Sequence, residues 1–292
     1  MRELRDKVAV ITGGASGIGL ALAGCFAAEG MKLALADIEP EPLEAAASRL
    51  TAQGADVLAV PTDVSDAAAM DAFGQCVLER FGSVHVVCNN AGVAGGGPMW
   101  ELTTADWEFV IGPNLWGVIH GVRVFVPLLV AQNEGHVVNT ASLAGLISVP
   151  GLAPYNVTKH AVVTLSETLH GELRAQGSAV GVSVLCPGFV KTRIFEHERH
   201  RPEGWQPAIE PDPQEAALRE AVLAHVLANA MPPEAIAAQV LAAVRDERFY
   251  ILTHPESDEV VSRRMRAILE GRAPDVPAPP DLAGAASDDR AG

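Results

Sequence analysis

Short apolar runs alternate with helix-length amphipathic stretches along most of the chain, a pattern that dictates repeated strand–helix–strand units around a parallel sheet. The strand candidates are Val8–Thr12, Lys32–Ala36, Asp56–Pro61, Val84–Asn89, Gly135–Thr140, Val180–Cys186 and Phe249–Leu252. Helices are expected near 17–29, 40–53, 66–81, 104–131, 154–176 and 233–246. Right-handed crossovers wind these into an α/β fold: a doubly wound, parallel, seven-stranded sheet with helices on both faces, three layers in all. Much of the 49% apolar content is Ala and Val, which suits close helix packing on a buried sheet.

Two regions break the rhythm. Between Gly188 and Pro233 there is no clear strand, prolines recur, and a helix is expected only over Gln214–Ala230. An insertion this long in a compact domain is usually a lid or a linker. It follows the carboxyl end of a strand, where ligands bind in open α/β sheets, so a substrate lid at about 188–233 is expected. After Arg272 the chain reads APDVPAPPDLAGAASDDRAG, and 273–292 is expected to be a disordered tail behind one domain spanning 1–272. Glu259–Leu269 reads as a short surface helix.

A formal charge of -15 argues against nucleic acid and anionic membrane as partners. Cys25, Cys76, Cys88 and Cys186 are far apart and form no CxxC pair, which favours reduced thiols and an intracellular compartment. The charged start, Met1 to Lys7, runs straight into a strand, so no secretory signal is read there. No run of 18 residues is continuously apolar, and a cytoplasmic location is expected.

The chemistry begins at Thr12-Gly13-Gly14-Ala15-Ser16-Gly17-Ile18-Gly19, directly after the first strand and opening a helix. Glycines let the backbone approach a pyrophosphate, which the N–H groups of the helix N-terminus then hold. A glycine cluster also makes a bare turn; its position after the first strand favours the ligand. Asp37 ends the second strand, where a carboxylate can accept from both ribose hydroxyls of NAD and repel the 2′-phosphate of NADP. Ser16, Ile38 and Glu39 supply no cation for that phosphate, so NAD is the expected cofactor, with Ile38 beside it. Asp63-Val64 is suited to the adenine, although a helix cap, which Ser65 would also make, is the plainer use of Asp63. Asn89-Asn90-Ala91-Gly92 ends the fourth strand, where small residues let a cofactor lie against backbone.

Ser142, Tyr155 and Lys159 form the decisive set. Tyr155 and Lys159 are four apart in a helical segment and share a face. A phenol of pKa near 10 is a poor base at neutral pH, and a cation within about 4–6 Å acidifies it by favouring phenolate. Tyr155 can then take a hydroxyl proton while hydride leaves for nicotinamide, with Ser142 holding the substrate oxygen. With two tyrosines and four lysines, composition alone gives such a Tyr-x-x-x-Lys pair in about 3% of chains, so chance explains it poorly.

These residues resemble the short-chain dehydrogenase/reductase family, a Rossmann fold. The matching pieces are TGGASGIG at 12–19, DV at 63–64, NNAG at 89–92, Asn114 in NLWG, Ser142 in NTAS, YNVTK at 155–159 and PGFVKT at 187–192. The resemblance implies that Lys159 also bonds the nicotinamide ribose, and that Asn114 kinks its helix and anchors a proton-relay water. It implies that Asn90 and Gly92 line the cofactor, while Pro187, Gly188, Val190 and Thr192 hold its carboxamide and pyrophosphate end. It further implies a homotetramer or homodimer, packed through the helices that carry Asn114 and Tyr155. Pro113 departs from the pattern and is expected to sharpen the kink at Asn114. Over a short segment, RFYILTHPE is similar to bacterial dehydrogenases of aryl-ether alcohols and to those that tailor terpenoids.

The segments Val93–Trp100, Leu143–Ala153 and Phe189–Trp205 are expected to line the substrate side, with Leu143, Val149, Phe189 and Phe195 foremost among apolar candidates that include Met99, Trp100, Leu146, Ile147, Ile194 and Trp205. A hydrophobic, fairly bulky alcohol or ketone fits such a lining. Arg193, Arg199 and Arg201 either bind a substrate carboxylate or are solvated. His197 and His200 miss the H-E-x-x-H spacing, so a solvated lid face is favoured over a metal site. The leading expectation is an NAD-linked secondary alcohol dehydrogenase. Two readings stand against it: an NADPH-linked ketoreductase, including one serving an acyl carrier, and a dinucleotide sensor without turnover.

Overall fold

The computed structural model describes residues 1–201, 224 and 227–274. Its strands are β1 (Val8–Thr12), β2 (Lys32–Asp37), β3 (Val57–Pro61), β4 (Val86–Asn89), β5 (His136–Thr140), β6 (Gly181–Cys186) and β7 (Tyr250–Leu252). The helices are α1 (Gly17–Ala28), α2 (Pro40–Ala52), α3 (Ala67–Phe81), α4 (Thr104–Ile111), α5 (Gly117–Gln132), α6 (Ala153–Ala175), α7 (Pro233–Asp246) and α8 (Asp258–Leu269).

All seven strands pair in parallel, in the order β3-β2-β1-β4-β5-β6-β7, with Val10 between Ala34 and Val87. β1, β4, β5 and β6 are buried throughout, which is why β1, β4 and β6 are mostly apolar; in β5 the buried His136, Asn139 and Thr140 side chains are hydrogen-bonded instead. On one face α1 and α7 bury Leu22, Phe26, Ile236 and Val240 against Leu33 and Leu35. On the other face α3, α5 and α6 bury Met70, Phe73, Phe125, Leu129 and Leu169. Phe73 and Phe125 meet edge to face at 5.9 Å, and the burial of each ring contributes about 1.5–3 kcal/mol. Successive strands step outward from β1 in opposite directions, so the order reverses between β1 and β4. A crevice opens above their carboxyl ends at that reversal.

The helix expected over 104–131 is interrupted. Residues Gly112–Trp116 form a π-helical turn in which the Gly117 N–H reaches back to the Gly112 carbonyl. Pro113 has no N–H to donate and sits at the start of this turn, where a wider repeat accommodates it. The kink expected at Asn114 is thus one turn of different pitch. β4 starts at Val86 rather than Val84, because the Val84 backbone exchanges hydrogen bonds with the Gln132 side chain at the end of α5. Thr104–Gln132 is long and apolar enough by composition to cross a membrane; here it packs on β4, β5 and α3.

Of the segment expected as a lid, 188–201, 224 and 227–233 are described, and 224 and 227–229 are helical. Residues 214–223 and 225–226 of the helix expected at Gln214–Ala230, Trp205, and all but the first two residues of the tail lie outside the described residues. The two described ends of the lid meet: Met231 donates to the Phe189 carbonyl and Lys191 donates to that of Met231.

Candidate active site

A cleft of about 950 Å³ lies over the reversal point and takes in the glycine loop, the ends of β2 to β6 and the segment after β6. Of the residues singled out above for cofactor, substrate or chemistry, it is lined by Gly13, Ser16, Gly17, Ile18, Asp37, Ile38, Asp63, Val64, Asn90, Ala91, Gly92, Ser142, Leu143, Val149, Tyr155, Lys159, Pro187, Gly188, Phe189, Val190, Thr192 and Phe195. Gly19 and Asn114 stand behind this surface rather than on it. A Cβ on Gly19 would sit 2.0 Å from the Gly13 carbonyl oxygen, so glycine there lets the loop fold against the helix start.

The loop suits an anionic ligand. α1 begins at Gly17 with no acidic residue in its first turn, and the Ser16 side chain does not cap it. Its first N–H groups thus face the cleft without a competing carboxylate, as a pyrophosphate site requires. Thr12 ties this floor together: its Oγ1 accepts from the Asn90 and Ala91 N–H groups at 2.9 and 3.1 Å. Asn90 donates in turn to the Thr12 carbonyl and accepts from Thr140, so it both lines the cleft and laces three strand ends.

Asp37 is fixed by backbone. Its Oδ2 accepts from Ala15 N at 3.0 Å and its Oδ1 from Glu39 N at 3.1 Å, which holds the carboxylate at the rim beside Ser16. Asp63 makes a local turn instead of a cap, accepting from the Ser65 N–H and hydroxyl; Asp66 caps α3.

Tyr155 and Lys159 lie one turn apart on α6, with the Lys159 Nζ 5.5 Å from the Tyr155 ring centre. Lys159 is 3% exposed and donates to the Thr140 carbonyl at 3.0 Å. Burial pushes its ammonium down to about 8. Burial also pushes the Tyr155 phenol up, and the Ser142 hydroxyl beside it draws it part of the way back. This corrects the sequence argument, which counted the lysine's field and left out the cost of burying both charges. The correction concerns where a proton sits: phenol with amine and phenolate with ammonium hold the same number. Ser142 Oγ accepts from Ala144 N and donates to the Pro187 carbonyl at 3.4 Å.

Asn114, fully buried, uses its amide on the loop after β4: Oδ1 accepts from Val93 N at 2.8 Å and Nδ2 donates to the Val93 carbonyl at 2.9 Å. Its side chain therefore positions the loop that carries Gly92. Sequence reasoning placed Val93 only within a lining segment and missed Thr140; both contribute through backbone atoms, which have no side-chain signature. It also missed His254, whose Nδ1 accepts from Gly188 N at 3.0 Å and whose Nε2 faces the Phe189 carbonyl at 3.2 Å. RFYILTHPE thus braces the loop after β6.

The cleft also takes in Ile147 and Ile194 beside Leu143, Val149, Phe189 and Phe195, together with Phe109 of α4 and Pro113 of the π turn, which the sequence did not suggest as lining. Met99 and Trp100 lie outside the cleft, 58% and 85% exposed. Of the three arginines, Arg193 is solvated as one expectation had it, and each of the three pairs with a carboxylate of the chain. Arg199 pairs with Glu39 at 3.3 Å, Arg201 with Asp106 at 2.8 Å over the Phe109 ring, and Arg193 with Glu196 at 2.8 Å. Among the described residues no three His, Cys, Asp or Glu groups converge as metal ligands.

Comparison with known proteins agrees with this geometry. A short-chain dehydrogenase/reductase from Burkholderia phymatum, solved in complex with NAD, is 45% identical, with a TM-score of 0.90 over 95% of this chain and 99% of that one. The CLA biosynthesis dehydrogenase/reductase of Lactiplantibacillus plantarum is 37% identical over 94% of this chain and 98% of its own length. The 1-deoxy-11-beta-hydroxypentalenate dehydrogenase of Streptomyces exfoliatus is 40% identical over 66% of this chain and 71% of its own. The family model for short chain dehydrogenases matches residues 7–203, and the chain belongs to the short-chain dehydrogenase/reductase family of oxidoreductases.

Proposed function

We propose that the protein is an NAD-dependent dehydrogenase of hydrophobic, fairly bulky secondary alcohols, working reversibly with the corresponding ketones. The observation that carries this reading is the pair on α6, half-buried Tyr155 at the cleft wall and buried Lys159 one turn on, with Ser142 against the phenol at the floor of the cleft. Short-chain dehydrogenases bind nicotinamide dinucleotide, and this chain has the glycine loop and open helix start that fit one. Bound there, NAD supplies the hydride acceptor.

The protein's own part is to hold and move a proton. Ser142 hydrogen-bonds the substrate oxygen and sets it beside the Tyr155 hydroxyl. Tyr155, sharing one proton deficit with Lys159, takes the alcohol proton as the C–H bond breaks and returns it in ketone reduction. Lys159, Asn90, Gly92, Pro187, Gly188, Val190 and Thr192 hold the nicotinamide half, and Asp37, Ile38, Asp63 and Val64 the adenosine half. Asp37 favours NAD over NADP by accepting from the ribose hydroxyls, which argues against the NADPH-linked ketoreductase. The presence of Ser142, Tyr155 and Lys159 together argues against a sensor.

Residues 188–233 serve as the lid of a single domain spanning 1–272. Leu143, Val149, Phe189 and Phe195 meet the substrate, and the apolar lining supports a bulky one. Trp116 and Val157, each 51% exposed on the segments that carry Asn114 and Tyr155, support a homodimer or homotetramer, and the four free cysteines support a cytoplasmic location. The test is a screen of aryl, terpenoid, steroid and short-chain alcohols with NAD and with NADP, read at the NADH band. Turnover with bulky alcohols and NAD is expected, and Asp37→Ala should lower the NAD-to-NADP preference at least about tenfold. Failure of every alcohol to reduce NAD would end this reading.

A further inference from the structure

Asp37 is not the only carboxylate at the adenosine end of the cleft. Glu39, two residues on, lines the same rim, and its N–H donates to Asp37 Oδ1 at 3.1 Å. It occupies the N-cap position of α2, yet its side chain does not cap that helix. Both of its oxygens face Arg199 instead: Arg199 Nε donates to Oε1 at 3.4 Å and Nη2 to Oε2 at 3.3 Å, a side-on fork. The remaining guanidinium nitrogen, Nη1, donates to the Arg193 and Glu196 carbonyls at 3.0 Å each. His200 Nε2 lies 3.8 Å from the same Glu39 oxygen.

This arrangement revises the argument for NAD. The sequence suggested that no cation stands near the ribose, because Ser16, Ile38 and Glu39 are not cations. The fold brings one there from 160 residues away, and Arg199 lines the cleft as Glu39 does. A guanidinium in that position is the group that recognises a 2′-phosphate. It fails to do so only while its donors are engaged elsewhere.

We propose that Glu39 is a second NAD-selecting residue, which acts by holding the Arg199 guanidinium away from the adenosine ribose. The proposal rests on the reading that Asp37 receives that ribose. Asp37 repels the phosphate directly; Glu39 withholds the cation that would attract it. Loss of Asp37 alone therefore leaves discrimination incomplete, because the cation stays locked to Glu39.

The test is direct binding of NADH and NADPH, followed by nucleotide fluorescence, to four proteins: the parent, Asp37→Ala, Asp37→Ala with Glu39→Gln, and that pair with Arg199→Gln. Adding Glu39→Gln to Asp37→Ala should tighten NADPH about tenfold, the scale of one charge-assisted contact, and leave NADH within about threefold. Adding Arg199→Gln should remove that gain. The proposal is overturned if Glu39→Gln weakens both nucleotides alike, since the pair would then be only a fastener. It is also overturned if the gain survives without Arg199, since simple charge repulsion by Glu39 would account for it. An Asp37→Ala protein with unchanged preference would instead remove the ribose from this rim, and the proposal with it.

Discussion

The floor and the cover of the cleft are built by different forces. The floor consists of α6, β5 and the glycine loop. Lys159 and Asn114 are almost wholly buried there, and the distances that matter are fixed by apolar packing and by backbone acceptors such as the Thr140 and Val93 carbonyls. The cover, residues 193–201, is held from outside by ion pairs to Glu39 at the start of α2 and to Asp106 on α4. Packing resists small displacement, whereas a partly exposed ion pair such as Glu39–Arg199 is worth little and yields to salt. Proton transfer should therefore belong to the floor, and nucleotide affinity and release should be shared with the cover.

The hardest blow to this division is aimed at the floor. Tyr155→Phe should lower alcohol oxidation by about 10²–10⁴-fold, the usual worth of a positioned acid–base group, while NAD affinity measured by calorimetry stays within about threefold. Retention of more than about a tenth of the parent rate would move the proton chemistry elsewhere. Lost NAD affinity would show that the phenol supports binding as well.

A second test of the floor uses pH. The Lys159 ammonium is pushed down to about 8 by burial, and the phenol is pushed up by the same cause. Oxidation needs the pair one proton short, so kcat/KM should climb about tenfold per unit below pH 8 and level off above it. Ketone reduction, which needs that proton present, should stay level below pH 8 and fall about tenfold per unit above it. A flat profile between about pH 6 and 9 in both directions would uncouple the pair from the rate.

On the cover, the two ion pairs should differ. Asp106 accepts from the Thr103 N–H and hydroxyl as a capping box, and faces Arg201 where both side chains are 8% exposed. Asp106→Ala removes a cap and the carboxylate opposite a buried guanidinium, a combined loss on the order of 2–4 kcal/mol. The Glu39–Arg199 pair is more exposed, and Arg199→Gln should cost under about 1 kcal/mol. Equal losses in thermal unfolding would mean that the cover is not anchored mainly on α4.

The same division decides what could be read from the residues alone. Strand positions emerged within two residues, because most of these parallel strands are buried on both faces and show as short apolar runs between turn residues. Asp37, Tyr155 and Lys159 were legible because strand ends and helical spacing are local facts. The π turn at Gly112–Trp116 was not, since Pro113 signals only that something must give there. The ion pairs of Arg199 and Arg201 join residues 160 and 95 apart, and no local pattern marks a surface charge for a distant partner. His254 escaped for the same reason. The direction of the Tyr155 shift was missed because burial is a property of the fold, whereas the lysine four residues on is a property of the sequence.

The smallest effect expected is the most specific to the cover. Screening shortens from about 10 Å at 0.1 M salt to about 3 Å at 1 M, so an exposed pair weakens while buried contacts hardly change. Raising salt from about 0.05 to 0.5 M should weaken NAD binding up to about threefold, but part of that reflects screening of the nucleotide's own phosphates. The Arg199→Gln protein separates the two contributions, because it keeps the helix N-terminus that faces the pyrophosphate and lacks the fastener. Its salt dependence should be shallower than the parent's, and kcat for a saturating alcohol should be equally indifferent to salt in both. Parallel slopes would mean that the strap contributes nothing to nucleotide retention, leaving the floor to bind the cofactor as well as to move the proton.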